Sequence, residues 1–321
     1  MKKKIILIIL ILFLIVTAAI ATPFLSLINI EKYESHLTID KDTNTLQMTG
    51  NDEIKILQLS DIQVKSFSDA IDPCRKIKKL IKQTNPDLIV ITGDNLSNGG
   101  TQDHVETMTR FMDSFEIPWA IVLGNHDHQA KVSIDKQSEI YESSKFGLFK
   151  SGDIEESKGN YYYTIKRNNE AIYSLIFMDS KREGFTMEHK MWYENTINKI
   201  NDENNKTVPN MLFYHIPLPE TIDAYNAYTT DNSIGSGIAN EIIYPQTTDI
   251  GFFDKVIELG STNFMAFGHD HVNTLHIKYQ NVMFCYGLKT GFTSYYDESI
   301  QGGCLYTINT YNEILIERIF I

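Results

Sequence analysis

Residues able to bind a metal ion or move a proton recur at the ends of apolar runs along this 321-residue chain. Asp61 closes "EIKILQLSD", Asp94 follows "DLIVITG", Asn125 and His126 follow "PWAIVLG", His215 follows "NMLFY", and His269 and His271 follow "NFMAFG". Carboxylates suit hard cations and neutral imidazoles suit zinc, manganese and iron, so a mixed set suits first-row divalent metals. There are enough donors here for two ions. His126, beside Asn125, is a candidate to protonate a leaving group. His269 and His271 are one residue apart, so on an extended strand both side chains face one cleft while Asp270 points away. Each piece alone has a bland reading: Asp61 as a helix cap, "GNHD" as a turn, "GHDH" as a surface pair. Their common position after strands is what argues for one site, because α/β sheets bind ligands beyond the carboxyl ends of their strands.

The elements that must position these residues follow from periodicity. From about Glu53, apolar strands alternate with amphipathic helices, the pattern of an α/β (α+β) domain over residues 53–321. "DPCRKIKKLIKQTNP" predicts a helix with Asp72 as N-cap, Pro73 at its first position and Ile77, Leu80 and Ile81 on one face. "HLTIDKDTNTLQM", within residues 31–52, reads as two short strands around a polar turn, an edge hairpin or spacer. The last apolar runs, through "EILIERIFI", suggest antiparallel strands. A long tyrosine-bearing loop after His215, with Tyr225, and "YGLKTGFTSYYD", with Lys289, are expected to wall a substrate pocket.

Residues 1–30 differ in kind: Lys2, Lys3 and Lys4 precede an unbroken apolar run from Ile5 to Val16, and no charge follows before Glu31. This predicts a signal anchor, or a signal peptide cut after "AIA", with the domain outside the cytoplasm: membrane-anchored if uncut, secreted if cut. A formal net charge of -12 argues against a nucleic-acid-binding surface. Cys74, Cys285 and Cys304 lack metal-finger spacing; a Cys285–Cys304 bridge is left open.

The ordered series "DIQ", "GDN", "GNHD", the histidine of "FYHIP", and "GHDH" resembles the calcineurin-like metallophosphoesterase superfamily, whose blocks are DxH, GD, GNH(D/E), H and GHxH. "PDLIVITGD", "FYHIPLPE" and "YGLKTG" look most like the branch with Dcr2-like and purple-acid-phosphatase-28-like phosphatases. The resemblance implies a central β-sandwich flanked by helices, with a dinuclear metal site at the strand C-terminal ends. Asp61, His271 and Asp94 would hold one ion, and Asp94, Asn125, His215 and His269 the other, with Asp94 shared. The ions would be Mn2+, Fe2+ or Zn2+. Gln63 stands where the family has histidine, offering a weaker oxygen ligand and shifting that site towards harder ions such as Mg2+. No tyrosine follows Asp94 closely, which argues against a purple ferric centre. Asp127 and Asp270 would orient the ligand imidazoles. Asn125 and His126 would contact the substrate. The implied reaction is hydrolysis of a phosphate ester by a metal-bridged hydroxide attacking phosphorus in line, with His126 as general acid. Either a phosphomonoesterase or a phosphodiesterase is consistent with it, and the alternative is a non-catalytic binding module stabilised by metal.

Overall fold

The computed structural model describes residues 33–50 and 53–321. β-Branched and aromatic runs bounded by polar turns set the strands. The chain forms β1 (Leu37–Asp40), β2 (Thr45–Met48), β3 (Ile54–Leu59), α1 (Phe67–Thr84), β4 (Leu88–Thr92), α2 (Gln102–Asp113), β5 (Trp119–Val122), α3 (Asn125–His128) and α4 (Ile134–Glu142). It continues through β6 (Tyr161–Arg167), β7 (Glu170–Phe177), α5 (Met187–Asn204), β8 (Asn210–Phe213), α6 (Glu220–Thr230), β9 (Gly235–Ser236), α7 (Phe252–Leu259) and β10 (Thr262–Phe267). The last strands are β11 (His276–Tyr279), β12 (Val282–Tyr286), β13 (Gly302–Ile308) and β14 (Ile314–Phe320).

Among the described residues these strands make two mixed sheets. One has five strands in the order β14, β13, β3, β4, β5; the other has nine, in the order β1, β2, β6, β7, β8, β10, β12, β11, β9. β3, β4 and β5 run parallel, as do β7, β8, β10 and β12, while β13 and β14 pair antiparallel. β4 is buried along its whole length, as a parallel strand covered on both faces must be.

Side-chain alternation shows how the layers stack. Met211, Phe213, Phe264 and Ala266 join the core between the sheets. Their neighbours Leu212, Tyr214, Met265 and Phe267 face outward and pack with Tyr193, Ile197 and Ile200 of α5 and Phe252, Phe253 and Val256 of α7. A period of two thus lets one strand serve two cores, and the result is a sandwich with helices outside. On the other side, Ile77, Leu80 and Ile81 of α1 cover the smaller sheet.

Several expectations are corrected. Among the described residues no helix is long and apolar enough to cross a membrane, so membrane anchoring, and with it the extracytoplasmic or secreted location, is not supported. Residues 1–30, where that expectation was placed, lie outside the described residues. α1 begins at Phe67, ahead of Pro73, so Asp72 is not its cap. It pairs with Arg75 at 3.2 Å instead. A proline removes one backbone hydrogen bond, which a helix this long tolerates when the rest of its apolar face is buried. All three cysteines are free and buried, and Cys285 and Cys304 lie on different sheets. The stretch after His215 is no open loop, because α6 and β9 occupy much of it.

Candidate metal centre

The motif residues sit just past strand ends on both sheets. Asp61 and Gln63 follow β3, Asp94 follows β4, and Asn125 and His126 open α3 after β5. His215 follows β8, and His269 and His271 follow β10. The smaller sheet therefore presents one set of side chains and the larger sheet the other, across the seam of the sandwich. Asp61, Gln63, Asp94 and His269 all have left-handed backbone, with φ of 52°, 54°, 50° and 77°. Such conformations cost about 1–3 kcal/mol each for residues with a Cβ and cluster where function requires them. Here cross-bracing holds them: Gln63 N donates to Asp94 O at 2.8 Å and Asp61 N to Gly93 O at 3.2 Å. The left-handed turn at His269 also replaces the extended geometry expected for "GHDH".

The side chains converge tightly. Ligand atoms of Asp61, Asp94 and His271, all buried, lie within 4.8 Å of one another. His271 Nε2 is 3.4 Å from Asp61 Oδ1, and His215 Nε2 is 3.3 Å from Asp94 Oδ1. The rings of His215 and His269 meet edge to face at 5.3 Å. Asp61 Oδ1, Asn125 Oδ1 and His215 Nε2 are fully buried yet make no hydrogen bond. Buried polar atoms are seldom left so, and oxygen and nitrogen lone pairs free of other partners are what a cation needs. On this ground the donor set fits divalent ions.

Backbone carbonyls, rather than carboxylates, orient two of the imidazoles. His215 Nδ1 is 2.8 Å from Thr92 O, and His271 Nδ1 is 2.9 Å from Tyr295 O. Each carbonyl needs a proton on Nδ1, leaving the Nε2 lone pair for the centre. Asp127 and Asp270, expected to orient imidazoles, bond elsewhere. Asp127 accepts from the backbone N–H of Gly124, Asn95 and Leu96, at 2.8, 3.2 and 2.8 Å, tying the turn after β5 to the loop after β4. Asp270 accepts from Tyr286 OH at 2.6 Å and Tyr244 N at 3.2 Å. Carboxylates close to ligand histidines in sequence were thus drawn to unpaired amide donors, a partner choice that spacing does not encode.

Electrostatics follow from burial and close charges. Burial raises Asp127 to about 6, with Asp94 adding to it. Burial also raises Asp270 to about 7. For His215 burial works downward, but Asp94 and Asp61 outweigh it and lift the imidazole to about 10, so an ion taken up at Nε2 would displace a proton there. His269, buried and beside His215, drops to about 4.

Gln63 and Lys289 form an arrangement that the sequence did not reveal. Lys289, expected in a substrate wall, is 2% exposed and lies under the centre. Its Nζ donates to Gln63 Oε1 at 2.9 Å and to Asp61 O at 3.1 Å. Gln63 Nε2 in turn donates to Asp94 Oδ2 at 3.1 Å. Burial lowers Lys289 to about 8, against the pull of Asp61 and Asp94.

His126 is held by its backbone and leaves its ring accessible. Its N–H donates to Asp94 Oδ1 at 2.8 Å, and its Nδ1 lies 2.8 and 2.9 Å from the side-chain oxygens of Asn98 and Gln129. Those oxygens keep a proton on Nδ1, so Nε2, 3.9 Å from Asp94 Oδ2, is the nitrogen free to exchange one. His128, two residues on, bonds Asp179 at 2.9 Å. Tyr225 lines a mainly apolar hollow of about 470 Å³ with Ile222, Glu241, Ile242 and Ile243. Glu241 accepts from Tyr295 OH at 2.7 Å, and Tyr295 stacks on His271 at 4.3 Å, so the hollow flanks the centre.

Comparison with known proteins agrees with this geometry. The calcineurin-like phosphoesterase family pattern matches residues 54–273. The chain belongs to the calcineurin-like phosphoesterase family. It is 26% identical to "Probable inactive purple acid phosphatase 29" of Arabidopsis thaliana over 78% of this chain and 75% of that protein. It is also 26% identical to "Phosphatase DCR2" of Saccharomyces cerevisiae, over 80% of this chain and 51% of that one. A dimetal phosphatase from Danio rerio superposes with a TM-score of 0.55 at 11% identity, over 83% of this chain and 97% of that one, which shows the shared fold. This calcineurin-like phosphoesterase therefore sits with the purple-acid-phosphatase-like and Dcr2-like relatives, and its family implies divalent metal ions.

Proposed function

We propose that this chain hydrolyses phosphate esters with divalent metal ions held by Asp61, Asp94, Asn125, His215, His269 and His271. The observation that carries the reading is the set of buried, unbonded donor atoms, Asp61 Oδ1, Asn125 Oδ1 and His215 Nε2, from three strand ends on two sheets. Divalent ions in such a centre supply Lewis acidity towards phosphoryl oxygens and a nucleophile at neutral pH. Mn2+, Fe2+ or Zn2+ suits the mixed oxygen and nitrogen donors. Asp94 is placed to serve both halves, since its two oxygens face His215 and Gln63 respectively. His126 is the general acid: the side-chain oxygens of Asn98 and Gln129 hold its Nδ1 and leave Nε2 to deliver the proton. The hollow beside Tyr295 favours an ester whose organic part is apolar or aromatic.

A second reading, a metal-stabilised module without turnover, draws on the glutamine at position 63 and on relatives whose names call them probably inactive. Paired variants separate the two. Asp94→Asn should lose bound metal and activity together. His126→Gln should keep its metal and lose turnover by about 100-fold or more, because an amide cannot deliver the proton. Elemental analysis and an aryl phosphate assay on the same preparations read both quantities; unchanged turnover in His126→Gln would remove it from the mechanism.

A further inference from the structure

We infer that Lys289 is a built-in cation in the Asp61–Gln63–His271 half of the centre, so that the chain holds one divalent ion tightly, through Asp94, Asn125, His215 and His269, and a second only weakly. The inference rests on the metal-dependent reading above and sharpens it.

The amide of Gln63 carries the argument. A lysine ammonium only donates hydrogen bonds and a carboxylate only accepts them, which fixes the orientation of an amide caught between the two. Gln63 Oε1 must face Lys289, at 2.9 Å, and its NH2 must face Asp94 Oδ2, at 3.1 Å. The one atom of Gln63 able to ligate a metal is therefore occupied. What points at the centre is an amide nitrogen with no lone pair to give, and it engages the Asp94 oxygen that an ion in this half would use. The same NH2 lies 3.4 Å from His271 Nε2.

Charge works in the same direction. Lys289 is buried and also bonds the backbone oxygen of Asp61, whose carboxylate is a ligand for this half. An ammonium so close to the Asp61–His271 pair repels a dication there, and the repulsion is little screened away from solvent. It also supplies part of the positive charge that Asp61 and Asp94 need for burial. The other half has no ammonium or guanidinium: Asn125 Oδ1 and His215 Nε2 are unbonded, and among the described residues no lysine or arginine is hydrogen-bonded to Asn125, His215 or His269.

The test is a manganese titration of the full chain, stripped of metal, read by calorimetry and by elemental analysis after desalting. The wild type should retain about one Mn2+ per chain, with a second binding event weaker by about tenfold or more. In Gln63→His/Lys289→Met, which replaces the ammonium and restores an imidazole, the second event should tighten by about tenfold or more, to two retained ions. Two equally tight ions on the wild type would overturn the inference. So would a second site that stays weak in a double variant whose circular dichroism melt shows it folded. If the double variant does not fold, the wild-type titration alone decides. Absence of bound manganese at any concentration would instead overturn the metal-dependent reading.

Discussion

At the scale of single residues, the centre depends on atoms that are not there. A Cβ on Gly268 would lie 2.0 Å from Ser60 Oγ, 2.7 Å from Asp61 Oδ2 and 3.1 Å from Thr92 O. One on Gly124 would lie 2.3 Å from Asp94 N and 2.4 Å from Asp94 Oδ1. The glycines of "GHDH" and "GNHD" therefore let backbone from one strand end press against a carboxylate of the candidate centre on another. Gly268→Ala should cost about 1–3 kcal/mol of stability through overpacking and should lower metal retention as Asp61 is displaced. Ser60→Ala in the same chain removes the closest clash and should recover part of the melting temperature but not the metal, since the Asp61 contact persists. Thermal melts and elemental analysis of both variants check this; wild-type metal retention in Gly268→Ala would show that Asp61 is not held in place by that contact.

At the scale of elements, what the sequence made legible was position along each strand. An apolar run can be read locally, and so can the polar residue that ends it, which is why Asp61, Asp94, Asn125, His126, His215, His269 and His271 could be singled out and are found near one seam. Pairing across the chain could not be read. Lys289 meets Gln63 from 226 positions away, and nothing in "YGLKTG" distinguishes a buried floor residue from an exposed wall. Asp127 and Asp270 look like imidazole partners by proximity, but four backbone amides and a tyrosine hydroxyl claimed them. The hairpin of β1 and β2 reads clearly as two strands, whereas its attachment to β6, through Thr45–Thr164 and its neighbours, depends on a distant edge. α1 shows the limit of local rules: Pro73 marks a helix start in sequence, yet tertiary burial of Ile77, Leu80 and Ile81 holds a helix that begins earlier.

At the scale of the whole molecule, pH reaches stability through buried groups outside the centre. His276, on β11, is buried with its Nε2 3.9 Å from Cys304 Sγ. Burial, with the Arg318 charge nearby, lowers it to about 3. Its folded value is thus far below its unfolded value, near 6.5, so the unfolded chain takes up a proton first on acidification. The neutral ring imposes no such cost above about pH 6.5, and stability is lost as pH falls from there towards 3. Asp127 and Asp270, raised by burial, act with the opposite sign, so the prediction concerns a difference. Lowering the pH from about 7.5 to about 5.5 should shift the stability of His276→Gln relative to wild type by about 1.4 kcal/mol in favour of the variant. Urea unfolding at the two pH values measures it, and a constant gap between the two chains would mean that the ring binds protons alike in the folded and unfolded chain.

The formal net charge of -12 sets the last condition: an acidic chain that acts on anionic esters needs local cations at its reacting centre. Hydrolysis of p-nitrophenyl phosphate and of bis-p-nitrophenyl phosphate, by protein stripped with a chelator and then resupplied in turn with Mn2+, Fe2+, Zn2+ and Mg2+, tests this directly. The stripped chain should be inert and a resupplied one should turn over at least one of the two esters. Turnover that survives stripping, or none with any ion on either ester, would contradict a metal-dependent phosphoesterase.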